Sequence, residues 1–192
     1  VDDEEREDRD PQQDGDRDQE ASNEIGAHQP GPAERRLMGA IVIGGSMSGL
    51  FAGLMLKAAG WQVGIYEKVE GELSGRGAGI VAQPEILAVL SELGLRANEL
   101  GVPVQKRRMF DAKGCMTLET ECPQVMTAWE RVYRILRDAF PPSQYHRGRS
   151  LTALEQDSQG VAAIFADGAR ESADLLIGAD GIRSTVRVLS AP

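Results

Sequence analysis

Histidine and cysteine are scarce, with two of each in 192 residues. His28 lies in an acidic stretch and His146 beside arginines, so neither marks a catalytic base, and a nucleophile–histidine–acid hydrolase has little to stand on. Cys115 and Cys122 have no Cys/His cluster around them, which leaves no metal site. The expected state is a reduced, cytoplasmic pair. Aromatic residues make up 5% of the chain, and no basic stripe interleaves with them, so nucleic acid is not an expected partner. No internal repeat is present. The N-terminal stretch has neither a basic start nor an apolar core, so it is not expected to be a signal peptide. Ala40 to Leu56 is 17 residues without a charge, slightly short for a bilayer crossing and with its glycines clustered as a turn requires. No membrane partner is expected.

Negative charge is abundant but uneven. Of the net −9, residues 1–36 supply −8, from 13 acids against five arginines. This stretch has almost no apolar residues, cannot bury enough surface to offset ordering entropy, and is expected to be a disordered acidic tail over residues 1–37. A solvated extension, an interaction tail and an upstream translation artefact are all compatible with it. Met38 would be a natural start for the folded part, residues 38–192, which is close to neutral.

The folded part is organised around Ala40–Leu56 and the acid at Glu67. Ala40–Ile43 is a continuous apolar run, the pattern of a buried parallel strand. Gly44 and Gly45 break it, and a second apolar run follows at helical spacing. Gln62–Tyr66 reads as another strand, closed by Glu67, 23 residues after Gly44. Strand, glycine turn, helix, strand and acid form the unit that holds a dinucleotide. The turn lets backbone approach a pyrophosphate, the helix start offers unpaired N–H groups to it, and the carboxylate accepts from ribose hydroxyls. Gly49 and Gly53 would allow close packing of the helix. Ser46 stands where the fingerprint G-x-G-x-x-G has its middle glycine.

Beyond Glu67, Gly75–Gly79 reads as a glycine loop carrying Arg76, and Pro84–Leu93 as a helix ended by Gly94. Val102–Phe110 and Met116–Thr120 read as a hairpin. Thr127–Phe140 reads as a helix with Thr127 as N-cap and Pro141-Pro142 as the stop. Ser150–Glu155 and Val161–Phe165 read as antiparallel strands, Asp174–Ala179 as a buried strand, and Ser184–Leu189 as the start of a helix.

Together, VIGGSMSGL with YEK, RGAGIVAQPEIL and GADGIRSTVR resemble the FAD-dependent aromatic-ring monooxygenases typified by p-hydroxybenzoate hydroxylase. The T-x-W-x-x-V-Y-R-x-L-R helix is most similar to the 2,6-dihydroxypyridine 3-monooxygenase branch. The resemblance runs from about Gly39 to Arg187. It implies an α/β class fold, a Rossmann-like FAD/NAD(P)-binding domain of the glutathione reductase type, with part of an antiparallel substrate-domain sheet. It implies FAD as cofactor, NAD(P)H as co-substrate, and O2 with a small aromatic or N-heteroaromatic substrate.

Carried onto this chain, Gly44, Ser46 and Gly49 would hold the pyrophosphate, with Gly45, Ser48 and Lys68 completing the set, and Glu67 would hold the adenosine ribose. Arg76 would lie by the pyrophosphate or the flavin ring, with Gln83 on the same loop, and Asp180 by the ribityl or pyrophosphate region. Trp129 stands where many relatives carry Arg or Gln, so Arg131 is the nearest candidate for a helix contact. Relatives continue with a third signature and most of a substrate-covering sheet. The chain is therefore expected to be a C-terminally incomplete piece, with apolar surface exposed and no activity alone. An FAD oxidoreductase of another reaction type and a non-catalytic nucleotide-binding or interaction module are the alternatives.

Overall fold

The computed structural model describes residues 38–75, 77, 79–96 and 100–191; the acidic stretch 1–37 and Arg76 lie outside them. β1 (Gly39–Ile43) is followed by α1 (Met47–Ala58) and β2 (Gln62–Tyr66), as the motif requires. After β2 come β3 (Gly79–Ala82), α2 (Pro84–Glu92), β4 (Val102–Phe110), β5 (Met116–Ala128) and α3 (Trp129–Ala139). A short 3-10 turn at Pro142–Gln144 leads into β6 (Tyr145–His146). β7 (Leu151–Asp157), β8 (Gly160–Phe165), β9 (Arg170–Ala173), β10 (Leu175–Gly178) and α4 (Thr185–Ser190) complete the order.

Three sheets result. A parallel sheet has the order β10-β1-β2-β6, and two antiparallel sheets have the orders β3-β5-β4 and β7-β8-β9. β1 lies at the centre, with Ile41 opposite Leu176 of β10 and Gly64 of β2. Its alternate side chains enter two different cores. Ala40 and Val42 join Leu50, Ile65, Val132, Leu136 and Phe140 beneath α1 and α3. Ile41 and Ile43 join Tyr66, Leu151, Ala163, Phe165 and Val186 on the other side. Both faces are covered, which is why β1 reads as an unbroken apolar run rather than an alternating one. α1 lies close on β2, since a Cβ on Gly53 would meet Ile65 Cδ1 and Phe140 Cε2 at 2.9 Å.

The hairpin forms as expected, with Asp111 accepting from the N–H groups of Lys113 and Cys115 in the turn. β5 runs further than the sequence suggests. It passes Pro123, where the ladder to β4 shifts register between Val104 and Lys106, the place a proline is tolerated. It then pairs Thr127 with Ile80 and Ala128 with Gly79. Thr127 is therefore a strand residue and not the N-cap of α3. Its buried hydroxyl donates to the Leu100 carbonyl, satisfying a group that burial would otherwise leave unpaired. The β4–β5 hairpin exposes Met109, Phe110, Met116 and Leu118.

α4 is held by side chains at its start. Ser184 accepts from Arg187 N–H at 2.9 Å, and Asp180 accepts from the Ser184 hydroxyl and the Thr185 N–H, both at 2.6 Å, and from Val186 N–H at 3.2 Å. Burial pushes the Asp180 carboxyl up, but these hydrogen bonds to the ionised form outweigh it and hold the group below the usual aspartate range.

Phe140 is fully buried between α1, β2 and α3, so Phe140→Ala is expected to cost about 3–5 kcal/mol, read as a lower urea midpoint. The depressed Asp180 means that the unfolded chain binds its proton first as pH falls. The stability this carboxylate contributes is complete above about pH 3.9 and is lost as pH drops through its lower folded value. Asp180→Asn is expected to destabilise at neutral pH and to show a shallower loss of stability on acidification, measured by denaturation across pH.

Candidate functional site

The carboxyl ends of β10, β1 and β2 lie side by side, and the chain leaves β1 toward β2 on one flank while β10 returns on the other. Such a switch point is where open α/β sheets hold ligands. Gly44 and Glu67 directly follow β1 and β2, and Asp180 stands two residues beyond the end of β10. Their cleft, about 200 Å³, is lined among others by Gly44, Ser46, Ser48, Glu67, Lys68, Arg149, Asp180 and Thr185. It is smaller than the roughly 300–1,000 Å³ typical of ligand pockets. Two larger clefts, about 430 and 400 Å³, lie toward the amino ends of the parallel strands, by Gly39 and Asp174, the end of such a sheet that does not hold ligands.

Backbone shape makes the cleft. Gly44 has φ +105°, and a Cβ there would sit 2.4 Å from the Ala179 carbonyl oxygen. Its N–H donates to the Tyr66 carbonyl at 2.8 Å. A Cβ on Gly49 would lie 1.8 Å from the Gly44 carbonyl oxygen. No side chain separates the end of β1 from the first turn of α1. The first N–H groups of α1 lack intrahelical acceptors, as in any helix, and the Ser46 side chain makes no capping bond to them, so they and the positive end of the helix dipole are left to suit an anion. Lys68 and Arg149 add cationic groups, and this donor set suits a phosphate.

Glu67 is buried at 7% exposure. Its Oε2 accepts from Gly45 N–H at 2.8 Å and its Oε1 from Val69 N–H at 2.9 Å. An ionised carboxylate has about four acceptor positions, so two remain for a diol. Asp180 lines the cleft while capping α4. Tyr66, also on the cleft wall, is pushed up to about 12 by burial, reinforced by the Glu171 charge.

The structure thus brings together Gly44, Gly45, Ser46, Ser48, Gly49, Glu67, Lys68 and Asp180. Gln83 lies elsewhere: it is the exposed N-cap of α2, its carbonyl accepting from Ile86 N–H at 3.0 Å. Arg131 is on the exposed side of α3 and does not line the cleft. Trp129 stacks on Tyr133 with centroids 4.9 Å apart, and Arg76 lies outside the described residues. Arg149 was missed by sequence reasoning. Its N–H donates to the Glu67 carbonyl at 2.9 Å and its guanidinium pairs with Asp167. The only local signal is the basic run Arg147-Gly148-Arg149.

Among the described residues there is no cluster of metal-ligating side chains and no helix long and apolar enough to cross a membrane. Compared with known proteins, residues 38–189 match the family model described as FAD binding domain. The chain is 40% identical over 147 residues to 2,6-dihydroxypyridine 3-monooxygenase of Paenarthrobacter nicotinovorans, covering 76% of this chain and 37% of that one. The structure of 2,6-dihydroxypyridine-3-hydroxylase from Arthrobacter nicotinovorans superposes with a TM-score of 0.73 at 39% identity, covering 78% of this chain and 38% of that one. Klebsiella pneumoniae HpxO complexed with FAD and uric acid superposes at 0.67 and 27% identity, covering 78% and 41%. The chain spans about 40% of the length of the curated relatives it matches. From the glycine turn of β1 to the Asp-Gly signature after β10, the chain belongs to the FAD binding domain family.

Proposed function

We propose that this chain is the cofactor-binding portion of a flavin-dependent monooxygenase that hydroxylates an aromatic or N-heteroaromatic ring. The observation that carries the reading is the meeting of Gly44, Glu67 and Asp180 at the carboxyl ends of three adjacent parallel strands. The identity to a dihydroxypyridine monooxygenase supports the substrate class. Residues 38–192 form the FAD-binding unit on this reading, residues 1–37 a solvated acidic extension, and the compartment is the cytoplasm.

The chain's own residues divide the work. Gly44, Ser46, Ser48 and the first turn of α1 take the pyrophosphate, with Lys68 and Arg149 offsetting its charge. Glu67 holds the adenosine ribose through its two remaining acceptor positions. Asp180 keeps the start of α4 against the ribityl side. When bound, FAD supplies the redox chemistry that side chains cannot. In the whole reaction NAD(P)H and a proton are consumed, one atom of O2 enters the ring as hydroxyl, and the other leaves as water. Ring binding and water exclusion fall to parts of the relatives beyond the region matched here.

The test is to add excess FAD to the purified 192-residue chain, remove free cofactor and record the visible spectrum. Flavin retained near one equivalent is the expected result, and folded protein that retains none overturns the reading. Glu67→Ala is expected to raise the FAD dissociation constant by about tenfold or more, because it removes charged hydrogen bonds of about 1.5–3 kcal/mol, measured by quenching of flavin fluorescence.

A further inference from the structure

The fingerprint at the end of β1 leaves the residue after its first glycine free to vary, yet a second glycine, Gly45, stands there. The reason lies a hundred positions away. Tyr145 donates its hydroxyl to the Gly45 carbonyl at 2.8 Å, and a Cβ on Gly45 would sit 2.2 Å from that hydroxyl oxygen. The opposite side of the same residue is also held, since Gly45 N–H donates to Glu67 Oε2 at 2.8 Å.

We propose that Tyr145 is a positioning residue for the phosphate-binding turn, acting through the Gly45 carbonyl; this rests on the FAD reading above. A trans peptide is planar, and its carbonyl and its N–H point in opposite directions. Drawing the Gly45 carbonyl toward Tyr145 therefore turns the Ser46 N–H away from Tyr145, and the Glu67 bond fixes the preceding peptide plane. Two anchored planes in succession leave the turn little freedom, so its N–H groups do not reorient when an anion arrives.

Tyr145 is itself rigid. It is 6% exposed, it pairs in register with Ile65 through β6, and its ring packs under the Arg137 guanidinium, 4.2 Å from the centroid. A buried ring braced by a cation keeps its place when the hydroxyl is removed. Tyr145→Phe also removes the hydroxyl's contact with Tyr133, and the comparison of ADP with adenosine separates that loss from an effect on the phosphate turn.

Dissociation constants for FAD, ADP and adenosine are measured by titration on the full chain and on Tyr145→Phe, with the ligand-free thermal midpoint alongside. The expected result is a five- to twentyfold weakening for FAD and for ADP, less than a twofold change for adenosine, and a midpoint within a few degrees of the parent. Unchanged FAD and ADP affinities overturn the proposal and leave the FAD reading intact. Equal losses for ADP and adenosine, or a collapse of the thermal midpoint, also overturn it, because Tyr145 would then support the fold in general and not the phosphate turn. If the parent chain binds neither FAD nor ADP, the FAD reading fails and this inference falls with it.

Discussion

Everything in the site depends on three pieces of backbone meeting without side chains between them. The end of β1, the first turn of α1 and the end of β10 approach so closely that a single Cβ on Gly44 or Gly49 would stand 2.4 or 1.8 Å from a carbonyl oxygen. Real Cβ atoms do not come so near, and backbone cannot swing aside as the tip of a long side chain can. The approach lets Glu67, arriving on β2, reach the N–H of Gly45, and it brings Asp180 to the same cleft. Any bulk inserted there would separate the strand ends and disperse the groups that face a ligand.

Legibility in the sequence follows the range of the interactions involved. β1, α1, β2 and the β10–α4 region were readable because each is a local pattern with a local stop: an apolar run, a glycine turn, an acid. Their convergence was readable too, through the two signatures. Tyr145 was not, because β6 is two residues long and two residues carry no periodicity. Its role exists only through the pairing of β6 with β2. Thr127 misled for a related reason. Thr followed by Glu three positions later suits a helix start, but pairing with β3 extends the strand one residue past it, and the hydroxyl is drawn to the Leu100 carbonyl. Arg149 reaches the cleft because its backbone extends the chain alongside Glu67, a contact between residues 82 positions apart that composition does not signal.

The three sheets are not equally secured. β1 is covered on both faces, whereas the β4–β5 hairpin keeps Phe110 at 60% exposure and Met116 at 55%. Opposite charges compensate on its polar residues, with Glu119 bridging Lys106 and Arg108. Exposed pairs of this kind contribute little, about 0–1 kcal/mol each, far less than burial of one large apolar side chain. The hairpin is thus a region of low local stability, by the rule that opening free energy follows buried apolar contact. The glycine turn after β1, by contrast, is held by Glu67 and Tyr145.

That contrast bears on how the site works. A carboxylate buried like Glu67 loses hydration, a loss offset only where donors meet it. Here two backbone N–H groups do so, one from the phosphate turn and one from Val69. The same bonds that make its burial tolerable tie the Glu67 carboxylate to the glycine turn, so on the proposed reading the ribose acceptor and the phosphate donors form one rigid unit. A ligand carrying both a diol and a pyrophosphate at the right separation meets both sets already in place. One carrying only the diol or only the phosphates forgoes half of the contacts, although the unit was already ordered for the pair. On the proposed reading, selectivity for a dinucleotide would arise from the stiffness of the Gly45 peptide planes, with Glu67 on one side and Tyr145 on the other.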